Sequence, residues 1–246
     1  MIPGRLLGQA LAAHGGLEAW RRVERIEAAL SSGGLAFAMH GQGSALLGLR
    51  ACVHPHRRRV ELAGYTGHGR TGHWTPDRVT IRDAGGNALA DRDFPRRSFD
   101  RLGRLVRWDA PDMLYFAGYA LWNYLSFPFL LAEPGVVVAE APPLPGAGNG
   151  RLVVDFPGDF PTHSRRQVFH LDDAGRLLRH DYTADVIGPF ATAANLCLAG
   201  EAVDGLRFYT RRRVVPRFGD NLLLPGPTLV WIEIDDLRVV TDRAAS

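Results

Sequence analysis

The sequence predicts a mainly β fold with a few short helices. Its 28 glycines and 16 prolines imply many turns, which disfavours a bundle of long helices. Short runs of strand character alternate throughout with Gly, Pro, Asp and Asn. With 246 residues, 46% of them hydrophobic, the chain can bury a core, and disordered, collagen-like and coiled-coil classes are excluded. We predict one β-rich domain over 1–246, because the best linker candidate, 142–150, is short enough to be a loop between strands.

Helical periodicity is confined to two regions, and the rest of the chain reads as strands. Near the N-terminus, apolar residues at helical spacing predict two short helices that break at Gly15-Gly16. These apolar residues are Leu6, Leu7, Ala10, Leu11, Leu17, Trp20 and Val23. The second helical region is 111–124. The predicted strands are 25–31, 35–40, 47–53, 58–62, 78–82, 136–140, 152–156, 167–171, 177–182, 206–215 and 229–239.

The segment 113–132 carries no charge and has the length of a bilayer span. Its aromatic residues are spread along it, whereas a spanning helix normally keeps them at its two ends. They are Tyr115, Phe116, Tyr119, Trp122, Tyr124, Phe127 and Phe129. Asp109 or Asp112 can cap a helix here and Pro128 can end it, so we predict a buried helix. A lid that touches a membrane and a true span are the alternatives.

All 29 basic residues are arginine, and lysine does not occur. Schiff-base chemistry, attachment of pyridoxal phosphate and a P-loop lysine are therefore excluded. The formal net charge of +3 is too small to indicate a nucleic-acid surface. The arginine triplets 57–59 and 211–213 lie among about as many acids, which is typical of solvated strand faces.

Two cysteines, Cys52 and Cys197, lie far apart in the sequence and belong to no C-x-x-C motif. Buried free thiols are expected, with a disulfide in an oxidising compartment as the alternative. The apolar run 6–13 is interrupted by Gly8 and Gln9 and makes a poor export signal. A cytoplasmic location is expected, or a periplasmic one if an export signal has been removed.

The turn 171–176 predicts a β-hairpin that places two histidines near each other. Its Asp-Asp-Ala-Gly sequence suits a type I turn with Gly175 in the left-handed region, followed by a bulge. In the resulting register, position 170 lies opposite 178 and position 168 opposite 180. His170, His180 and Tyr182 then share one face and can act as acid and base, or bind a metal with a further ligand. A slip of one residue would separate the histidines, and two exposed or singly hydrogen-bonded histidines are the alternative.

Several other residues are candidates for ligand contact. The run 35–40 alternates large residues with Ala36 and Ala38, so a ligand or a helix can lie against its small face, beside His40. The glycine-rich stretch 64–74, which ends at Trp74, predicts a loop over a pocket mouth. The pair His54 and His56 has H-x-H spacing but is expected at a solvated strand end rather than on a metal.

Arg212 is out of phase with the other arginines of its strand. Period-two alternation over 206–214 places Arg212 on the same face as Phe208 and Val214. A guanidinium on an apolar face requires a carboxylate, carbonyl groups or an anionic ligand. A structural salt bridge to Glu233 or Asp235 is the alternative to a ligand anchor.

The layout of the chain resembles a known family. The opening helices run through GGLEAWRRV at 15–23 into a strand at Ile26, and a long antiparallel meander follows. The hairpin 168–182, the stretch GLRFYT at 205–210 and a last strand at 229–239 complete the layout. Over most of its length the chain is similar to the LolA/LolB-like outer-membrane lipoprotein carrier superfamily. The resemblance implies an incomplete antiparallel β-barrel, or half-barrel, wrapped around a hydrophobic helix, with an N-terminal helix and an apolar cavity for acyl chains or another lipophilic ligand.

The sequence thus leads to one main hypothesis of function, binding of a lipophilic small molecule or lipid in the half-barrel cavity. The alternative is an enzyme without an organic cofactor that acts on a polyketide-, terpene- or lipid-like substrate, with His170 or His180 as acid or base and Tyr182 as donor to an oxyanion. An interaction module is a third class. The predicted ligand contacts are Phe116, Tyr119, Trp122, Phe208, Arg212, His40 and Trp74. We expect no cofactor, no metal, no nucleic acid and no transmembrane span, and leave peripheral membrane contact as an alternative.

Overall fold

A computed structural model of the protein describes residues 4–242. The helices are α1 (Arg5–Ala13), α2 (Gly16–Arg21), α3 (Leu35–Met39) and α4 (Ala110–Ser126). The strands are β1 (Val23–Gly33), β2 (Leu46–His54), β3 (Arg59–Ala63), β4 (Thr71–Thr75), β5 (Arg78–Arg82), β6 (Ala88–Asp93), β7 (Val137–Ala141), β8 (Gly150–Asp155), β9 (Arg166–Leu171), β10 (Leu177–Thr183), β11 (Thr192–Val203), β12 (Leu206–Phe218), β13 (Leu222–Leu223) and β14 (Val230–Thr241). The predicted mainly β fold with antiparallel strands is confirmed.

The chain divides into two compact units. Unit A consists of Met1–Arg22 and Ser126–Thr228, and unit B consists of Val23–Leu125 and Leu229–Ser246. In unit A the strand order is β12-β11-β10-β9-β8-β7, with β13 paired to β12. In unit B the order is β6-β5-β4-β3-β2-β1-β14. The single domain expected from the sequence stays a prediction.

Helix α4 confirms the predicted buried helix and explains how it begins. The carboxylate of Asp109 accepts the backbone N–H of Asp112 at 3.0 Å, and the carboxylate of Asp112 accepts that of Asp109 at 3.1 Å. This reciprocal capping box satisfies two N–H groups that have no partner inside the helix. Both predicted caps are therefore used at once. Among residues 4–242, no helix combines the length and the apolar character needed to cross a membrane.

Helix α4 packs closely on the sheet of unit B because two glycines allow it. A Cβ atom placed on Gly118 would lie 2.2 Å from Cγ of Trp74, so only glycine lets the β4 indole approach the helix backbone. In the opposite direction, a Cβ atom on Gly72 of β4 would lie 2.7 Å from the side chain of Leu114. The hydroxyl of Tyr65 donates to the carbonyl of Ala110 at 2.7 Å and fixes the start of the helix.

Three sequence predictions in unit B are wrong. The predicted strand 35–40 is helix α3, because its Ala, Leu and Met residues are strong helix formers and a short alternating run does not distinguish the two structures. Ala36 and Ala38 therefore form no small strand face. The predicted loop 64–74 contains part of β4, where Trp74 is buried. Strands β4 and β6 were not predicted, since neither run is rich in aliphatic residues.

In unit A, helices α1 and α2 pack beside the sheet, and aromatic pairs join the chain segments. Trp20 of α2 stacks on Phe129 with ring centroids 4.4 Å apart, and Phe127 stacks on Phe169 of β9 at 5.1 Å. Stacked pairs at such distances stabilise a core beyond their buried area. The long strand β11 was also not predicted, because its second half is exposed and polar.

His14, at the C-terminal end of α1, belongs to a buried hydrogen-bond chain in unit A. The hydroxyl of Tyr209 accepts the backbone N–H of Leu177 and lies 3.0 Å from Nε2 of His14. The other ring nitrogen, Nδ1, lies 2.7 Å from the carbonyl of Ala10 and must donate to it. In the neutral ring, Nε2 then accepts from Tyr209, so the chain is satisfied without a charge. Burial lowers the pKa of His14 to about 4.

This lowered pKa predicts a loss of stability in mild acid. Below about pH 6.5 the unfolded state binds a proton at His14 that the folded state binds only near pH 4. The contribution of His14 to the free energy of unfolding is complete above about pH 6.5. At pH 5 it should be lower by about 2 kcal/mol, because each pKa unit is worth about 1.4 kcal/mol. Urea denaturation at pH 7.5 and pH 5 measures it. The variant His14→Gln should lose about 2 kcal/mol less than the wild type over this interval, and an equal loss would contradict the assignment. The exposed His68→Gln is the control and should behave as the wild type.

Candidate ligand-binding site

The predicted ligand contacts on α4 lie in the core of unit B. Tyr119 and Trp122 are fully buried, as is Trp74 of β4, and Phe116 is 6% exposed. Nε1 of Trp122 donates to the carbonyl of Pro55 at 2.9 Å, and the guanidinium of Arg58 lies over its ring. These aromatic residues therefore pack against protein groups. Their role in ligand contact stays a prediction.

Trp108, which the sequence did not single out, connects this core to an open cavity. Its ring stacks on His40 at 4.3 Å and contacts Phe116 of α4 at 5.3 Å. Its backbone N–H donates to the carbonyl of His40 at 3.1 Å, and the side-chain amide of Gln42 donates to its carbonyl at 2.8 Å. The ring is thus fixed between His40, at the end of α3, and Phe116 of α4.

The cavity beside Trp108 has a volume of about 650 Å³. We call it the Trp108 cavity; it is lined by Gln42, Arg101, Gly103, Arg104, Arg107, Trp108 and Asp109. Its size lies within the range of small-molecule sites. Trp108 is 2% exposed and forms the apolar base of the cavity, and the arginines are the cationic groups of the lining. This combination suits an amphiphile with an apolar chain and a negatively charged head group.

Exposed apolar side chains are close in the sequence to Trp108 and to His40, on which Trp108 stacks. Met39 precedes His40 and is 67% exposed, and Val106 lies two residues before Trp108 and is 71% exposed. Leu105 is also exposed. Exposed apolar side chains that form a patch can mark a site of ligand or membrane contact.

An ion-pair network holds the chain beside the cavity. Arg92 and Arg104 each contact the carboxylates of Asp109 and Asp112 at 2.6–3.1 Å, and the hydroxyl of Ser98 donates to Asp112 at 2.6 Å. Burial favours the neutral form of Asp109, but hydrogen bonds from Arg92 and from the Asp112 N–H outweigh it and hold the pKa of Asp109 well below its usual value.

The network also decides the charge of the cavity. Arg92 and Arg104 balance Asp109 and Asp112, and Arg101 and Arg107 are exposed. These last two arginines give the lining its net positive charge.

In unit A, the hairpin turn is as predicted but its register is not. Gly175 has a φ of 79° and follows the expected turn. A bulge then places Arg179 opposite His170, and His180 opposite Phe169. The N–H of Leu177 bonds to the hydroxyl of Tyr209 rather than to β9, which accommodates the extra residue. The predicted register is therefore wrong by one residue, and His170 and His180 lie on opposite faces of the sheet.

His180 and Tyr182 remain on one face, in a polar cluster. The amide nitrogen of Gln167 donates to Thr162 and to the carbonyl of Ser164, so its oxygen accepts from Nε2 of His180 at 2.6 Å. His180 is therefore neutral with a proton on Nε2, and burial, with the nearby charge of His163 and Arg212, lowers its pKa well below the usual value. Tyr182 stacks on His163 at 3.9 Å.

Arg212 is 2% exposed, as expected for an arginine on an apolar strand face. Its Nη1 lies 3.3 Å from Sγ of Cys197, and its Cζ lies 5.3 Å from the ring centre of Tyr209. Burial raises the pKa of the Cys197 thiol, and both cysteines are free thiols. Phe208 on the same strand is buried. Whether Arg212 and Phe208 contact a ligand stays a prediction.

Sequence reasoning missed the residues that line the Trp108 cavity. Arg101, Arg104 and Arg107 lie in a stretch with no motif and little periodicity, so nothing distinguished them from solvated arginines. One signal was present: Trp108 directly precedes the cap of α4, a position where an apolar residue often packs back on the helix. Trp108 contacts Phe116, about one turn further along the helix than the residue that such a contact usually involves.

No family model matches the sequence, and no curated protein is significantly similar to it. Among solved structures, a LolA superfamily protein from Nitrosomonas europaea is similar in fold, with a TM-score of 0.51 at 8% identity over 96% of this chain and 92% of that one. A putative outer membrane lipoprotein-sorting protein domain from Vibrio parahaemolyticus has a TM-score of 0.49 at 11% identity over 98% and 93% of the two chains. A DUF1329 family protein from Desulfovibrio piger has a TM-score of 0.48 at 11% identity over the same shares.

Proposed function

We propose that this LolA-like protein binds a lipophilic ligand with an anionic head group in the Trp108 cavity. The observation that carries the proposal is a cavity of about 650 Å³ whose lining combines Trp108 with the exposed arginines Arg101 and Arg107. The fold supports it, because the resemblance to the LolA/LolB-like superfamily implies a cavity for acyl chains.

In this proposal the head group binds to the arginines, and the apolar chain lies over the base of the cavity at Trp108 and extends to the exposed apolar side chains near it. A carboxylate or phosphate accepts two parallel hydrogen bonds from a guanidinium, which fixes its position. The chain enters past Met39, Leu105 and Val106, whose exposure also suits contact with a membrane surface. His40 and Phe116 contribute by holding the indole in place, and Trp74, Tyr119 and Trp122 by supporting α4 behind it.

The enzymatic alternative gains no support from the arrangement of the histidines. That alternative requires His170 and His180 to converge on one substrate atom. The two histidines lie on opposite faces of the sheet, so they do not converge. The cytoplasmic location expected from the sequence stays a prediction.

The test is a pair of ligands that differ only in the head group. Isothermal titration calorimetry with laurate and with dodecanol should show that the wild type prefers laurate. In the variant Arg101→Glu/Arg107→Glu, the affinity for laurate should fall about 10-fold or more, because each lost charge-assisted contact is worth about 1.5 kcal/mol. The affinity for dodecanol should change less than about 2-fold.

A control variant carries the same change in net charge elsewhere. Arg176 and Arg211 are exposed in unit A and do not line the cavity. Arg176→Glu/Arg211→Glu should bind laurate as the wild type does. If neither ligand binds the wild type, and native mass spectrometry of freshly purified protein finds no lipid, the proposal is wrong. Equal losses in the two double variants would also overturn it.

A further inference from the structure

A second cavity lies within unit A, on the sheet face opposite to that of His180. Its volume is about 290 Å³, and the lining includes Arg151, Arg166, His170, Asp181, Arg217 and Asp220. We call it the His170 cavity. None of these residues belongs to the proposed lipid site or to the ligand contacts predicted from the sequence.

A cross-strand row brings the charges together. Arg151 of β8 lies opposite His170 of β9, which lies opposite Arg179 of β10, so the three side chains share a face. The carboxylate of Asp181 accepts two bonds from Arg179, at 2.6 and 2.7 Å. This bidentate pair neutralises Asp181. Arg151, Arg166 and Arg217 then face the cavity against only one further lining acid, the exposed Asp220.

His170 supplies the observation that points to a ligand. The ring is completely buried, and its Nε2 lies 2.9 Å from Oδ2 of Asp181. The other nitrogen, Nδ1, is buried and has no hydrogen-bond partner among residues 4–242. Buried polar atoms in native proteins nearly always have a partner. Because Asp181 is an acceptor, Nε2 carries the proton, and Nδ1 either keeps a lone pair or, in the charged ring, donates.

Arg217 completes the arrangement. Its Nη1 donates to the carbonyl of Gly219, and its Nε lies 3.8 Å from Oδ2 of Asp181. Nε of Arg151 donates to the carbonyl of Pro142 at 2.6 Å. Backbone carbonyls therefore orient two of the three guanidinium groups, which lowers the entropy lost when they bind a ligand.

We propose that the His170 cavity binds a doubly charged oxyanion, the phosphate or sulfate group of a small molecule, through Arg151, Arg166, Arg217 and Nδ1 of His170. Two negative charges match the excess of arginine over acid better than one carboxylate does. The cavity is larger than a single phosphate, so the group carries an organic part.

Sulfate is the probe for this site because it is a doubly charged oxyanion. The groups that face His170 are Arg151, Arg166, Arg179, Asp181, Arg217 and Asp220, with Asp155 opposite Arg166 on the neighbouring strand. We expect calorimetry at pH 5.5 to show that the wild type binds sulfate with a Kd below about 10 mM.

Three variants separate binding from folding. His170→Gln keeps a donor to Asp181 and removes Nδ1, so its sulfate affinity should be weaker than that of the wild type. Arg166→Met changes an exposed residue and should weaken binding at least 5-fold at pH 5.5, as should Arg217→Met. The control Arg211→Met, exposed on β12 outside the cavity, should leave the affinity unchanged. In the wild type, the ¹³Cε1 resonance of His170 should shift with sulfate at pH 7.

The source of the oxyanion is tested in a further arm. In the variant Arg101→Glu/Arg107→Glu, which removes the proposed lipid site, glycerol 3-phosphate that binds as tightly as dioctanoyl phosphatidic acid identifies a soluble phosphate ester. Much tighter binding of the lipid to that variant identifies a head group. Both outcomes support the site. No binding at 10 mM sulfate and pH 5.5, or binding that Arg166→Met and His170→Gln leave unchanged, overturns it. The lipid proposal is unaffected by either result, because its variants lie in unit B.

Discussion

Replacing Asp112 by Asn is expected to lower the free energy of unfolding by about 3 kcal/mol. Its side chain is fully buried and contacts Arg92, Arg104 and Ser98, and it accepts the backbone N–H of Asp109. Asparagine keeps the shape and removes the charge, which leaves two arginines with one acid between them. Removing one member of a buried ion-pair network is strongly destabilising, because the remaining charges lose their compensation.

Urea denaturation at pH 7.5 measures this effect, and an exposed ion pair provides the control. Arg50 and Asp236 lie 3.7 Å apart, and their side chains are 70% and 62% exposed. Asp236→Asn should change the free energy of unfolding by less than about 0.5 kcal/mol, since exposed pairs contribute little. A loss below about 1 kcal/mol in Asp112→Asn would show that the network does not stabilise unit B.

The second large effect is expected at Gly118. Gly118→Ala should destabilise the protein by about 3 kcal/mol, although alanine favours a helix by about 1 kcal/mol over glycine. The new methyl group would lie 2.2–2.7 Å from Cβ, Cγ and Cδ1 of the fully buried Trp74. These atoms are at the base of the side chain and cannot move without the strand, so the overpacking cost is at the high end of its range.

Gly8 in α1 offers the matched control. A Cβ atom there has no neighbour within 4 Å, so Gly8→Ala should raise the free energy of unfolding by about 1 kcal/mol. The two substitutions are chemically identical and should have opposite signs. If Gly118→Ala is as stable as the wild type in urea denaturation, then α4 does not pack against β4 as described.

Both predictions also bear on the proposed ligand site. Asp112 and Asp109 fix the chain that carries Arg104, and Gly118 sets the distance between α4 and the sheet behind Phe116. A variant that loosens either contact is expected to weaken laurate binding together with stability. The exposed arginines Arg101 and Arg107 should affect binding alone, which separates ligand contact from support.

Local physical chemistry was readable in the sequence. The uncharged aromatic run after two aspartates predicted α4 and its capping, because caps and periodicity depend on residues close in the chain. The glycine in the hairpin turn was predictable for the same reason: only glycine adopts a left-handed φ without cost. The lysine-free composition excluded whole classes of chemistry.

The tertiary structure alone decided the register of the hairpin 168–182, the face on which each of its histidines lies, and which residues line the Trp108 cavity. The bulge after Gly175 depends on the hydroxyl of Tyr209, 32 residues from Leu177, and it reverses the face of His170 relative to His180. The run 35–40 became a helix because short alternating segments are ambiguous until their neighbours are placed. Trp108 and the arginines around it lie in a stretch without periodicity, so only packing reveals that they line one cavity. The sequence by itself determined α4 with its capping, the hairpin turn and which chemistry is excluded, and the long-range contacts determined which side chains meet.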